Sequence, residues 1–291
     1  MKVAVIGVGA MGVLMAGHLH DKGHTVFAHD IDPEKLADAA AHGATPVTAL
    51  GDVAAQADIF ILMVATESQV RHIVTGLTTA ISSRQKGSTL IAIAATTHPA
   101  PMQELSSNCA QHGVRFIDAP VVFGMPGARD GTLLTLCGGL EEDVEFARPA
   151  LSAYSRDVLH VGPAGAGQLA KACNNLLHWI HSIGNYETLL LAKRYGVDAR
   201  RMREILLRSP GNNGTLESWD STKFTWQEKD MDVVMDLAQN AGLVLPLSGQ
   251  TDQLIKLFNA KAVEELMEGS EASYLGRKFS ALPVSEGGLG G

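Results

Sequence analysis

The sequence has few cysteines and no excess of basic residues, and each shortage excludes a class of protein. Of the 291 residues 3 are cysteine, widely spaced and without a CxxC pair, so we expect neither a disulfide framework nor a structural zinc site. Lysine and arginine number 23 against 31 aspartates and glutamates, which gives a formal net charge of −8 at pH 7. Without a basic block to neutralise phosphates, nucleic acid is excluded as the main partner.

Long apolar runs are also lacking. No run approaches the roughly 18 apolar residues of a membrane-spanning helix. The chain opens with MKVAVIG, which is strand-like, and we therefore expect no signal peptide, no membrane contact and a cytoplasmic location. The residues that are present, 46% hydrophobic and 19% charged, have the balance of a globular protein, and small molecules are the expected partners.

Short apolar runs alternate with helical patterns in the first half of the chain. Between residues 2 and 161 these runs are KVAVIG, HTVFAH, DIFILMV, STLIAIA, VRFIDAP, GTLLTLCGG and DVLHVG. This rhythm predicts βαβ units and a mostly parallel sheet. After Gly162 a helical pattern runs to about Tyr195 and further helical stretches follow. We predict an α/β domain at 1–161 and an all-α domain at 162–291, joined by a long helix.

A glycine motif lies between the first predicted strand and the first predicted helix. Gly7, Gly9 and Gly12 form G-x-G-x-x-G, which permits a tight turn, a close approach to a pyrophosphate and tight packing of helix on strand. Asp30 ends the second strand, where a carboxylate binds the adenosine ribose and repels the 2′-phosphate of NADP. We therefore predict a site that prefers NAD. Its predicted cofactor contacts are Gly7, Gly9, Ala10, Met11, Gly12, Asp30, Val64 and Ala65.

Three further stretches carry a resemblance to a known family. DAPVVFGMPGARDGTL at 118–133, GPAGAGQLAKACNN at 162–175 and EKDMDVVMDLAQNAGLVLPL at 228–247 resemble the substrate loop, catalytic helix and C-terminal signature of the β-hydroxyacid dehydrogenases. That family includes 3-hydroxyisobutyrate dehydrogenases and tartronate semialdehyde reductases. The resemblance implies a Rossmann domain, a long interdomain helix and a helical domain like that of 6-phosphogluconate dehydrogenase, through which two or four chains assemble.

The resemblance also assigns roles to single residues. Lys171 matches the catalytic lysine, and Asn175 matches the asparagine one helical turn later that orients the substrate. Thr96 matches the position that approaches the nicotinamide, and Lys229 the lysine that closes over cofactor and substrate. When hydride leaves the substrate, a base must take the hydroxyl proton, and an ammonium group must return it in the reverse reaction. One lysine serves both directions.

The substrate loop departs from the family pattern. Where the family has Ser-Gly-Gly, whose hydroxyl and amides hold the substrate carboxylate, this sequence has Val122, Phe123 and Gly124. We expect these three residues to contact the substrate. The lost hydroxyl and the added ring favour a substrate that is larger and less polar than a triose acid.

One leading function and two alternatives follow. The leading function is an NAD-dependent interconversion of a β-hydroxyacid, or a related alcohol, and its aldehyde or ketone. The first alternative is reduction of an imine, or of a carbonyl that lacks a carboxylate, which the missing loop serine motivates. Lys171 with Asn175 favours alcohol chemistry instead. The second alternative is a catalytically silent NAD-binding module, against which the presence of Lys171 argues.

Two remaining sets of residues carry weaker signals. His178 and His181 are spaced to share a helix face, but no supporting ligand lies at a suitable spacing, so we predict no metal site. Trp219 and Trp226 are expected to lie in a core or an interface, because this is the commoner place for tryptophan.

Overall fold

The structure is a computed structural model that describes residues 1–81 and 84–289. It contains two compact units, one from Met1 to Lys171 and one that begins at Ala172. The division falls inside a long helix, α8, whose bounds are Ala166–Arg194.

A nine-stranded sheet with helices makes up the first unit. The strands are β1 (Lys2–Ile6), β2 (Thr25–His29), β3 (Thr45–Pro46), β4 (Ile59–Leu62), β5 (Leu90–Ile93), β6 (Arg115–Asp118), β7 (Val121–Val122), β8 (Leu133–Gly139) and β9 (Ser155–Gly162). The helices before α8 are α1 (Gly12–Asp21), α2 (Pro33–Ala41), α3 (Leu50–Gln56), α4 (Glu67–Ile81), α5 (Ala100–Gln111), α6 (Gly124–Asp130) and α7 (Glu141–Leu151).

The strand order is that of a Rossmann sheet. It runs β3-β2-β1-β4-β5-β6-β8-β7, with β9 paired to β8. The pairs from β3 to β6 are all parallel, whereas β8 runs antiparallel to β6 and β7. The direction of winding reverses between β1 and β4, and such a switch point is where α/β sheets bind ligands. The predicted mostly parallel α/β fold is confirmed.

The central strands are apolar on both faces because both faces are covered. Strands β4 and β5 are buried at every residue, as expected of parallel strands between two layers. Along β1, Val3 and Val5 join one core cluster and Ala4 and Ile6 join the other, because successive side chains point to opposite faces. The first cluster includes residues of α1 and α7, and the second includes residues of α4 and α5.

As far as residue 289, the second unit is helical apart from one hairpin. Its helices after α8 are α9 (Ala199–Leu206), α10 (Gly214–Glu217), α11 (Gln227–Asn240), α12 (Pro246–Ile255) and α13 (Ala260–Glu268). The antiparallel strands β10 (Ala272–Tyr274) and β11 (Arg277–Phe279) follow. Positive φ angles of 50° at Leu275 and 74° at Gly276 shape the turn between them. The helical fold class is confirmed, and the hairpin is an addition that the sequence analysis missed.

No helix in the described part of the chain is long and apolar enough to cross a membrane.

Candidate active site

The three glycines of the motif differ in what surrounds them. A Cβ atom on Gly7 would lie 2.4 Å from the carbonyl oxygen of Met63, and one on Gly12 would lie 2.0 Å from that of Gly7. Gly7 also has a φ of +88°, which favours glycine. Around Gly9, in contrast, no atom of the described residues beyond its chain neighbours lies within 4 Å of such a Cβ. Packing therefore requires Gly7 and Gly12, whereas Gly9 leaves space beside the backbone.

The start of α1 is suited to an anion. Among the described residues no side chain caps this helix, and its first turn holds no acidic residue. Ala10 is exposed and Met11 half-buried at the same end. The first backbone N–H groups of a helix lack partners within it and lie at the positive end of its dipole. Together with the space at Gly9, these amides fit a pyrophosphate.

Asp30 lies against the glycine turn. Its Oδ2 accepts a hydrogen bond from the backbone N–H of Val8 at 3.0 Å, and its Oδ1 accepts one from that of Asp32 at 3.0 Å. The neighbouring Ile31 is 90% exposed. The structure thus brings the predicted ribose-binding carboxylate to the predicted pyrophosphate turn. A carboxylate acceptor beside backbone N–H donors fits the ribose and pyrophosphate of the adenosine half of a dinucleotide.

The other predicted cofactor contacts follow β4 and β5. Val64 lies at the switch point, where its Cγ1 would be 2.9 Å from a Cβ on Gly7. The N–H of exposed Ala65 donates to Gln69 Oε1 at 3.0 Å. Thr96 is half-buried in the loop after β5. Because the carboxyl ends of neighbouring parallel strands share one edge of the sheet, these residues follow the strands that flank the switch point on one side.

A buried carboxylate at the end of β6 holds the start of α8. Asp118 is 0% exposed, and its two oxygens accept hydrogen bonds from the N–H groups of Gly165 and Gln168, each at 2.7 Å. The Gln168 side chain donates to Ala95 O at 2.8 Å and accepts from Thr97 N–H at 3.0 Å. Burial raises the pKa of Asp118, although these amides act in the opposite direction. This network was not predicted: the Asp at a strand end and the glycine-rich helix start are both visible in the sequence, but nothing near either one pairs them.

Lys171 and Asn175 lie on α8 within one helical turn of each other. Lys171 is half-buried, and Asn175 is 7% exposed. The Oδ1 of Asn175 accepts a hydrogen bond from Asn174 Nδ2 at 3.2 Å. The structure therefore keeps both predicted residues on one helix, with Lys171 partly accessible and Asn175 buried.

The substrate loop holds an unusual backbone. Val122 is 5% exposed and pairs with Leu134 in β8. Phe123 has a φ of 80°, in the left-handed region, and precedes α6. Its ring is half-exposed, and the guanidinium carbon of Arg156 lies 4.2 Å from the ring centroid. Gly124 also has a positive φ, of 54°. A bulky residue at positive φ is strained, and such strain concentrates at functional sites.

Lys229 and the two tryptophans lie in the second unit. Lys229, on α11, has its Nζ 5.7 Å from the ring centroid of Trp226. Trp219 is 1% exposed and belongs to the core cluster of this unit, which confirms its predicted place. Trp226 is 60% exposed and stands at the residue before α11, so it lies outside the core, and its place in an interface stays a prediction.

Of the two helix histidines, His178 has a side-chain contact in the second unit. His178 Nδ1 and Thr215 Oγ1 are 3.0 Å apart, at hydrogen-bond distance. Within residues 1–81 and 84–289 there is no group of three or more His, Cys, Asp or Glu side chains placed to hold a metal ion.

Family models match both halves of the chain. Residues 2–162 match the NAD binding domain of 6-phosphogluconate dehydrogenase. Residues 165–272 match the model described as NAD-binding of NADP-dependent 3-hydroxyisobutyrate dehydrogenase. Together with the glycine turn and Asp30, these matches define the class: a nicotinamide-dependent dehydrogenase.

Individual relatives narrow the class. The mitochondrial 3-hydroxyisobutyrate dehydrogenase of Bos taurus is 30% identical, over 89% of this chain and 82% of its own. An NAD-dependent L-serine dehydrogenase of Pseudomonas aeruginosa is 33% identical, over 75% of this chain and 73% of its own. The solved structure of 3-hydroxyisobutyrate dehydrogenase from Mycobacterium tuberculosis with L-serine matches this chain with a TM-score of 0.80 at 28% identity. The match covers 88% of this chain and 93% of that one. The chain belongs to the β-hydroxyacid dehydrogenase family.

Imine reductases share the fold at a greater distance. One from Myxococcus stipitatus has a TM-score of 0.64 at 16% identity, covering 88% of this chain and 92% of that one. This likeness shows the fold alone.

Proposed function

We propose that this enzyme oxidises a β-hydroxyacid to its aldehyde or ketone with NAD, or carries out the reverse reduction, and that Lys171 is the general acid and base. One observation carries the proposal. Asp118 and Gln168 hold the start of α8, the helix that contains Lys171, at the carboxyl edge of the Rossmann sheet. This edge is where ligands of such sheets bind.

The chain's own residues have distinct tasks in this proposal. The amides at the start of α1 and the space at Gly9 hold the pyrophosphate, and Asp30 holds the ribose. Bound nicotinamide supplies the acceptor or donor of hydride. Lys171 Nζ takes the hydroxyl proton during oxidation and returns it during reduction. The family resemblance assigns orientation of the substrate to Asn175, approach to the nicotinamide to Thr96 and closure over cofactor and substrate to Lys229.

NAD is the proposed cofactor, and the Asp30 carboxylate supports this preference. Its negative charge repels the 2′-phosphate of NADP. The residue that follows is exposed Ile31, whereas NADP enzymes place an arginine near this point.

The proposed substrate is larger and less polar than a triose acid. The proposal assigns the backbone amides after Val122 to the substrate carboxylate, while Val122 replaces the hydroxyl and Phe123 adds apolar surface at the loop. Each buried methylene stabilises binding by about 0.8 kcal/mol, so two or three extra carbons raise kcat/KM by roughly ten- to fiftyfold. Val122→Ser with Phe123→Gly should return the preference to glycerate-like acids. An unchanged ranking across a chain-lengthened series contradicts this assignment.

We further propose a cytoplasmic homodimer or homotetramer that assembles through the helical unit. Exposed apolar side chains in this unit, Leu177, Leu191, Leu243 and Val244 among them, support an interface, because packing against a second copy would remove their apolar surface from water. The three cysteines are unpaired thiols, as is common in reducing compartments. Light scattering during size exclusion tests the assembly, and a monomer at micromolar concentration contradicts it.

A substrate panel tests the function and separates it from its alternatives. With β-hydroxyacids and with plain alcohols of matched length, near-ultraviolet absorbance measures the formation of reduced cofactor. With cyclic imines, the same absorbance measures the consumption of reduced cofactor. We expect turnover with hydroxyacids. Faster turnover of imines or plain alcohols would favour the first alternative, while NAD binding without any turnover would favour a silent module.

A further inference from the structure

We propose that Asp118 is a positioning residue: its buried carboxylate fixes the first turn of α8 and thereby the place of Lys171. This inference rests on the proposed role of Lys171 as the general acid and base. Asp118 touches neither cofactor nor substrate in the proposal and acts through the helix.

The contacts show how the helix start is held. One carboxylate oxygen accepts the N–H of Gly165, which precedes α8, and the other accepts the N–H of Gln168, in its first turn, both at 2.7 Å. A carboxylate at a helix start satisfies amides that lack partners and complements the helix dipole. Distances this short are typical of charge-assisted hydrogen bonds. The anion therefore links the end of β6 to the start of α8.

A second tie reaches the neighbouring strand. Gln168 Nε2 donates to Ala95 O at 2.8 Å, and its Oε1 accepts from Thr97 N–H at 3.0 Å, on either side of Thr96. Gln168 is 1% exposed. The first turn of α8 is thus held to the loop after β5 as well as to β6, which restricts both its translation and its rotation.

Two glycines allow the helix to approach this closely. A Cβ on Gly138 would lie 2.4 Å from Asp118 Oδ1, and one on Gly167 would lie 2.4 Å from Leu136 O and 2.8 Å from Asp118 Oδ2. Side chains at either position would displace the helix from β8. Backbone contact leaves little space for the helix start to shift.

Lys171 follows Gln168 by less than one helical turn, so a displaced first turn carries Lys171 with it. A misplacement of about 1 Å costs roughly 100-fold in rate. Asp118→Asn keeps the shape of the side chain but replaces one oxygen with an NH₂ group, which faces a backbone N–H donor. The variant therefore weakens one of the two ties without creating a cavity.

The test compares Asp118→Asn with Asp143→Asn. Asp143 is a 5% exposed carboxylate of the same unit, bonded to Arg115 at 2.5 Å, and it controls for neutralising a buried acid. We expect Asp118→Asn to lower kcat by roughly 10- to 100-fold, to leave KM for NAD unchanged and to speed amide hydrogen exchange at residues 165–171. Asp143→Asn should leave kcat and that exchange unchanged.

Two outcomes would overturn either the positioning role of Asp118 or the proposed role of Lys171. If Asp118→Asn lowers thermal stability but its folded fraction keeps the native kcat and the native exchange at 165–171, Asp118 has a structural role alone and the inference is wrong. If Lys171→Ala itself retains full turnover, the proposed function fails. The exchange measurement still reports on the anchor in that case, because it needs no catalysis.

Discussion

A Cβ atom on Gly12 would lie 2.0 Å from the carbonyl oxygen of Gly7. The start of α1 therefore packs directly on the turn that ends β1, and no L side chain fits between them. Gly9 lies between the two and faces space instead, within the part of the chain that is described. The same motif thus contains two glycines that packing requires and one, Gly9, whose proposed role is to leave space for the cofactor.

Substitution by alanine separates these two requirements. Gly12→Ala should lower the free energy of unfolding by about 1–3 kcal/mol, as overpacking does. Gly9→Ala should change it by less than about 0.5 kcal/mol yet weaken NAD binding by about tenfold or more, since the methyl group enters the space of the pyrophosphate. Urea denaturation without cofactor and fluorescence titration with NAD measure the two effects. Equal loss of stability in both variants would refute the distinction.

The Asp30 carboxylate predicts the cofactor preference. The native enzyme should bind NAD more tightly than NADP, and Asp30→Ser with Ile31→Arg should reverse the order by about 10- to 100-fold, because a repulsive charge is exchanged for a charge-assisted hydrogen bond. Titration of both nucleotides checks this. Asp32→Ser is the matched control, since Asp32 caps α2 and should not alter the preference. Native binding of NADP that equals or exceeds that of NAD would contradict the assignment.

The positive φ of Phe123 predicts an inverted stability order. At ordinary backbone angles a glycine variant is less stable than an alanine variant by about 0.5–1 kcal/mol. At the 80° of Phe123, Phe123→Gly should instead be the more stable of the two, by about 1 kcal/mol, because alanine keeps the left-handed penalty. Both variants lose the contact with Arg156, so that contact cancels in the comparison. Chemical denaturation of the two variants measures this difference. If the alanine variant is at least as stable as the glycine variant, the loop does not hold this backbone angle.

The nucleotide half of the molecule was predictable because its signals are local. The spacing of Gly7, Gly9 and Gly12 directly after a buried strand specifies the turn, and Asp30 follows at the end of the next strand. Apolar runs such as β4 predict buried parallel strands without knowledge of their partners. The family resemblance added Lys171 and Asn175, whose helix the structure contains.

The remaining features depend on contacts between distant parts of the chain. Asp118 and Gln168 are bonded across some fifty residues of sequence, and nothing near Asp118 indicates that partner. The Leu275–Gly276 turn lacks the usual Asn-Gly signal of a hairpin, so β10 and β11 were missed. Phe123 stands at a backbone angle that sequence alone would reserve for glycine.

The central claim is that Lys171 moves the proton, and turnover of Lys171→Ala measured alongside NAD affinity tests it most directly. Lys261→Ala serves as the control, since Lys261 is 82% exposed. Turnover of the native enzyme with its best hydroxyacid from the panel sets the reference. The account predicts that Lys171→Ala keeps NAD binding within about twofold while kcat falls by about 100-fold or more, the scale of general acid and base catalysis. Unchanged turnover in Lys171→Ala, or a loss that higher NAD concentration fully restores, would contradict it.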